Sequence, residues 1–229
     1  MVPLKIIGKN VLYNKLSFME NLFSITIGRQ LGSGGKQIGE KLAQQLGISF
    51  YDKELIDIAS GESGVGKTFF EQADETTSHS IFGGDLFGWP STIGSGHYPN
   101  SFLSNETLFT IQSNVIRQLA EKRSCLFVGR CADYILTGKT NCLTIFICAD
   151  MDDRVKRVMR IKDLSESKCR DFIVKTDKRR SSYYNYFSGK TWGSAESYHL
   201  CINSSKLGID ATIAFLKLYI EDWLSKIKS

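Results

Sequence analysis

With 229 residues, of which 42% are hydrophobic and 23% charged, the chain has the make-up of a soluble globular protein, which excludes a fibrous or wholly disordered one. Its length suits one sizeable core, and a formal net charge of +5 fits an anionic ligand or nucleic acid without selecting either. No apolar run approaches the roughly 20 residues that span a bilayer, and the start, MVPLKIIGKNVLYNKLSF, is too polar for a secretory signal.

Residues 1–20 read as an N-terminal extension, either disordered or an upstream mis-start ahead of Met19, and residues 21–229 as a single domain. Phe23 to Ile27 (FSITI) predicts a buried strand that runs into a glycine loop. A helix follows, with Ile38, Leu42 and Leu46 on one face and its end at Gly47. ISFY (residues 48–51) predicts a second strand, and Asp52 stands where a helix N-cap would stand, ahead of Leu55, Ile58 and Ala59. Residues 76–104 show no period and are rich in turn residues, the pattern of a functional lid or disordered insert.

Leu108, Ile111, Val115 and Leu119 then mark a helix, followed by the strand CLFVGR, a short helix near residues 132–136 and the strand CLTIFICA. A basic helix is expected from about Asp152, and Ser165 is placed to cap another that runs into KTDKRRSSYYNYFSGKTW. The strand YHLCIN and a helix carrying Ile213, Leu216 and Ile220 complete the chain. Strands alternating with helices imply a parallel sheet wrapped on both faces. Cys125, Cys131, Cys142, Cys148, Cys169 and Cys201 form no CxxC pair and have no histidine at zinc spacing, so they are expected as free thiols in a reducing cytoplasm, mostly buried. His79, His97 and His199 are dispersed and carry no assignment.

Two glycine loops compete for phosphate. Such a loop works when backbone N–H groups converge on the anion and the next helix presents its positive end, so it needs a strand before it and a helix after it. GESGVGKT (residues 61–68) fits the pattern G-x-x-x-x-G-K-[ST], yet the residues ahead of it, KELIDIAS, read as helix. Thr68 to Glu71 is moreover a capping box that would occupy the Thr68 hydroxyl. The loop at residues 30–37, with Gly32, Ser33, Gly34, Gly35, Lys36 and Gln37, is the poorer pattern in the right context, and it is the expected phosphate site. Gln37 replaces the hydroxyl that ordinarily meets Mg²⁺, which points to a metal held through water.

The segments ITIGRQLGSGGKQIGEKLAQQLG, FYDKELIDIA, FFEQADE, VGRCADYIL and TDKRRSSYYNYFSGKTWG, in this order, resemble the cytidylate-kinase-like family of P-loop nucleotide kinases over about residues 22–222. The resemblance implies a three-layer α/β sandwich with a five-stranded parallel sheet, an acceptor-side insert (76–104) and a lid (163–195). It also implies ATP and Mg²⁺ as cofactors and transfer to a nucleotide, CMP or dCMP foremost. On this resemblance Lys36, Arg130 and Arg180 serve the transfer, and Arg130, Asp177 and Arg180 contact the acceptor nucleotide. Asp133 is placed to touch the nucleoside or a metal-bound water, or else to cap a helix, and Asp52 to meet acceptor or metal water, or else to cap one too.

Arg154, Arg157 and Arg160 recur on one helix, where one of them would reach phosphate. Tyr183, Tyr184, Tyr186, Phe187 and Trp192 read as lid packing rather than a base-stacking platform. No membrane or nucleic-acid partner is expected. Three rivals remain: a nucleotide sensor with little turnover, given Gln37; an RNA-binding module built on the basic and aromatic run 175–192; and a kinase of another small metabolite.

Overall fold

In the computed structural model, which describes residues 22–67, 105–139 and 141–227, the chain runs β1 (Ser24–Arg29), α1 (Gly35–Leu46), β2 (Ser49–Tyr51) and α2 (Glu54–Ser63). It continues through α3 (Asn105–Lys122), β3 (Cys125–Val128), α4 (Ala132–Ile135) and β4 (Cys142–Cys148). Then come α5 (Met151–Met159), α6 (Glu166–Ser188), a 3₁₀ turn (Ala195–Ser197), β5 (Leu200–Asn203), α7 (Ser204–Leu207) and α8 (Ile209–Lys226). The strands form one parallel sheet in the order β2-β3-β1-β4-β5.

Strand β1 lies in the middle, with Ile27 opposite Val128 of β3 and Ile145 of β4. Its alternation divides the core in two, because successive side chains point to opposite faces. Ile25 and Ile27 join Ile38 and Leu42 of α1 and Leu216 and Ile220 of α8 on one face. Phe127 and Phe146 join Leu55, Val115, Ile116 and Leu136 on the other. Full burial of each of these side chains is worth roughly 1.5–3 kcal/mol, so the sheet is clamped from both sides.

This strand order sends the chain to one side of β1 first and to the other side at β4. The loops after β1 and β3 therefore diverge around a crevice at the carboxyl ends of the strands, where open α/β sheets bind ligands. Most expected elements lie where the periodicity put them: α1 ends at Gly47 in the left-handed conformation (φ 67°), and Ser165 caps α6 by accepting from Lys168 N–H at 3.5 Å.

Asp52 is not an N-cap. Lys53 occupies that position of α2 without a side-chain bond, and the Asp52 carboxylate turns into the crevice. Likewise Cys131, not Asp133, is the N-cap of α4. Residues 61–63 of GESGVGKT form the last turn of α2, closed by Gly64 at φ 70°, and Lys67 pairs with Asp57 at 2.5 Å. The capping box at 68–71, the insert 76–104, His79, His97 and residues 1–20 lie outside the described residues. The cysteines are free; Cys125, Cys131, Cys142 and Cys169 are buried, whereas Cys201 is exposed against expectation because it sits on edge strand β5.

Candidate active site

The loop between β1 and α1 is held in shape by its own side chains and by helices α5 and α6. Ser33 is fully buried; its hydroxyl donates to Gln30 C=O at 2.8 Å and accepts from Gly35 N–H at 3.3 Å. Its carbonyl accepts from the Ser204 hydroxyl at 2.6 Å. The Ser33 side chain thus shapes the loop from within. Gln30 ties the loop to the end of β4 by accepting from Ala149 N–H at 3.2 Å.

Leu31 is gripped at both ends of its peptide: its N–H donates to Asp177 Oδ1 at 2.8 Å, and its C=O accepts from Arg154 Nε at 2.7 Å. Arg154 and Asp177 are also ion-paired to each other. Gly32 has φ 78°, and a Cβ there would meet the Arg154 carbonyl at 2.7 Å, so only glycine lets α5 lie this close. Helix α1 starts at Gly35, and Gly34, Gly35, Lys36 and Gln37 line the crevice at its N-terminus, the positive end of the helix.

Around this loop a cavity of about 660 Å³ opens at the carboxyl ends of the strands, within the range of small-ligand sites. Its lining is rich in cations, among them Arg29, Lys36, Arg130, Arg157, Arg160 and Arg180. Asp52 organises part of it: Lys36 Nζ stands 3.0 Å from Oδ2 and Arg29 Nη2 3.3 Å from Oδ1, with the Asp52 side chain 6% exposed. The bond from Asp52, opposed by partial burial, holds the Lys36 ammonium above its ordinary pKa, so the lysine stays charged. Arg157 donates to Gly32 C=O at 3.1 Å, and Arg180 donates to Arg29 C=O at 3.2 Å.

Beyond β3 the backbone turns left-handed at Gly129 (φ 74°), Arg130 (φ 60°) and Cys131 (φ 54°) in succession. For the two non-glycine residues this costs roughly 1–2 kcal/mol each, the kind of local strain that collects at functional sites. It turns Arg130 into the cavity wall.

The lining also holds the aromatic rings of Tyr183, Tyr184, Trp192 and Tyr198 and the acid Asp133. Asp133 is buried and accepts from the Tyr184 hydroxyl at 2.6 Å. Burial pushes its pKa up, an effect the Tyr184 bond opposes in part. Burial, and then the neighbouring Asp133, likewise push the Tyr184 and Tyr198 phenols up, so both stay neutral.

Of the residues singled out in the sequence, Gly32, Gly34, Gly35, Lys36, Gln37, Asp52, Arg130, Asp133 and Arg180 line this one cavity. Ser33 and Asp177 do not; both hold the loop from behind. Among the spaced arginines, Arg157 and Arg160 reach the cavity wall while Arg154 is buried against the loop. The aromatic run divides: Tyr183, Tyr184 and Trp192 reach the wall, whereas Phe187 stacks on Phe109 at 4.1 Å. Sequence reasoning overlooked Arg29 and Tyr198. Arg29 ends a strand just as Arg130 follows one, which was a usable signal; nothing in the local sequence around Tyr198 points to a cavity.

Residues 24–206 match the model of the cytidylate kinase-like family. The chain belongs to the cytidylate kinase-like family. No curated protein matches this family member. Among solved structures it is similar to an uncharacterized protein from Eubacterium ventriosum ATCC 27560, at 29% identity and a TM-score of 0.64, over 87% of this chain and 98% of that one. It also shares its fold with shikimate kinase from Bacteroides thetaiotaomicron, at 13% identity and a TM-score of 0.51, over 88% of this chain and 99% of the other. The cytidylate kinase-like chain thus has the α/β fold of P-loop kinases, built on a five-stranded parallel sheet.

Proposed function

We infer that the protein transfers a phosphoryl group from ATP to a nucleoside monophosphate, with CMP and dCMP the leading acceptors. The observation that carries this reading is the lining of one cavity, which brings the glycine loop and several cations together with aromatic rings and a buried acid. Phosphoryl transfer asks for in-line positioning and neutralised charge rather than covalent chemistry. The loop from Gly32 to Gln37 cradles the donor phosphates, with Lys36 and Arg180 beside the transferring group and Arg130 on the acceptor phosphate.

Lys36 exchanges its bond to Asp52 for phosphate oxygens as the donor enters. That step releases Oδ2 of Asp52 at the end of β2, while Oδ1 stays with Arg29. Mg²⁺ keeps several waters and takes few protein ligands. Asp52 and Glu40 in the cavity wall suit such water-mediated contact, and among the described residues no cluster of three or more His, Cys, Asp or Glu is ready to hold an ion directly. When bound, the ion neutralises charge on the donor phosphates.

ADP release with Mg·ATP and each of CMP, dCMP, UMP, AMP and GMP tests the reading, with Lys36→Ala as control. The expected result is release that depends on one acceptor class and is lost in the variant. ATP binding with no acceptor-dependent release would refute it in favour of a nucleotide sensor, a reading that the Lys36–Asp52 pair and Gln37 both support.

A further inference from the structure

The cavity contains a hydroxyl that stands near Tyr184 and the Gly193 backbone yet makes no hydrogen bond of good geometry among the described residues. Tyr198 is 7% exposed and lines the same cavity as the phosphate loop, yet among the described residues its hydroxyl oxygen has no hydrogen-bond partner. Burying a hydroxyl in this state costs on the order of 1–3 kcal/mol, so a residue that only filled the core would be more stable as phenylalanine. The ring itself is well packed, 5.0 Å from Phe146 and 6.0 Å from Tyr184 between centroids. Space at the hydroxyl is kept by Gly28, where a Cβ would stand 3.1 Å from the oxygen.

The neighbours restrict what can meet this group. Tyr184 gives its proton to Asp133, so it can meet Tyr198 only as an acceptor, and no bond of good geometry joins the two. The groups that act on the Tyr198 phenol are Asp133, Tyr184 and the Gly193 backbone, none of them a cation for an anionic ligand group. The Tyr198 hydroxyl therefore suits an uncharged polar group, while phosphates find their partners among Arg29, Lys36, Arg157 and Arg180 of the same lining.

We propose that Tyr198 is a specificity-determining residue, whose hydroxyl hydrogen-bonds an uncharged amide, amine or hydroxyl on the nucleoside part of the acceptor. The assignment rests on the nucleotide-kinase reading above. A site built to hydrogen-bond a substrate group rejects analogues that lack it, because its own polar atom is then left buried and unpaired.

The test is Tyr198→Phe, with CMP, dCMP, UMP, AMP and GMP titrated by calorimetry and ADP release followed for each. The expected result is a rise of about 5- to 50-fold in Kd and KM for the preferred acceptor, with kcat within about twofold and a flattened ranking of acceptors. ATP affinity stays unchanged, and Tm is equal or higher because an unpaired buried hydroxyl has gone. A purely structural tyrosine would instead leave KM and the ranking unmoved. If the wild type turns over an acceptor and Tyr198→Phe does so with the same constants, the assignment is overturned and the kinase reading stands. If monophosphates bind without ADP release and the substitution weakens that binding, the kinase reading fails and the assignment stands. Absence of monophosphate binding by the wild type overturns both.

Discussion

Arg29 lies across Gly129 so closely that a Cβ at Gly129 would collide with the guanidinium. From the end of β1 the arginine passes over the end of β3 and reaches Asp52 at the end of β2, 3.3 Å away, linking the carboxyl ends of three adjacent strands. Gly129→Ala must therefore displace Arg29 and also place a side chain at φ 74°. The backbone strain alone is worth about 1–2 kcal/mol. We expect a lower Tm together with weaker ATP binding; a variant with both values unchanged would show that Arg29 does not depend on this passage.

The Arg154–Asp177 pair is buried against the loop, with side chains 5% and 15% exposed. Removing one partner of such a pair leaves an uncompensated charge, at a cost of about 3–5 kcal/mol. Arg154→Ala should lose stability on that scale in denaturant titration. Asp177→Asn keeps an oxygen for Leu31 N–H and should lose less. Both should weaken ATP binding by loosening the loop at Leu31, and equal stability losses in the two variants would contradict this division.

Lys36→Ala and Lys67→Ala separate the two glycine loops. Lys36 lines the cavity beside the first turn of α1, whereas Lys67 pairs with Asp57 on α2 outside the cavity wall. Lys36→Ala should lower ATP affinity tenfold or more, about 1.4 kcal/mol, and Lys67→Ala should leave it unchanged. A reversed result by calorimetry would move the nucleotide site to residues 61–68.

Asp133 makes stability depend on pH in a defined sense. Burial raises its pKa above the ordinary value of 3.8, so the folded protein holds this proton in a range where the unfolded chain has released it. The contribution is fully present below 3.8 and is lost as pH rises through the folded value. Relative to Asp133→Asn, the wild type should lose stability as pH rises from 3.8 through the folded value. Parallel Tm curves for the two proteins across that range would show that Asp133 does not titrate in this way.

Much of this architecture is legible in the sequence because it follows from local rules. The four-residue recurrence of Ile38, Leu42 and Leu46, the stop at Gly47 and the strand ahead of Gly32 each depend on neighbours along the chain, and each lies where expected. The same reasoning separated the loop at 30–37 from the better pattern at 61–68, since a helix before a glycine loop cannot present it as a strand end does.

The tertiary structure alone decided which polar groups share a wall. For Asp52 and Asp133 a ligand contact and a helix cap stood level, because local sequence shows only the nearest backbone donors; folding offered Asp52 two cations, Arg29 and Lys36, and gave Asp133 the Tyr184 hydroxyl. Asp177 looked like a ligand contact, yet Leu31 lies 146 residues away in the chain and takes its oxygen first. Periodicity along the chain determines how elements form and which face is apolar; the partners of a buried charge or hydroxyl are chosen across the sheet, by groups that no local pattern brings together.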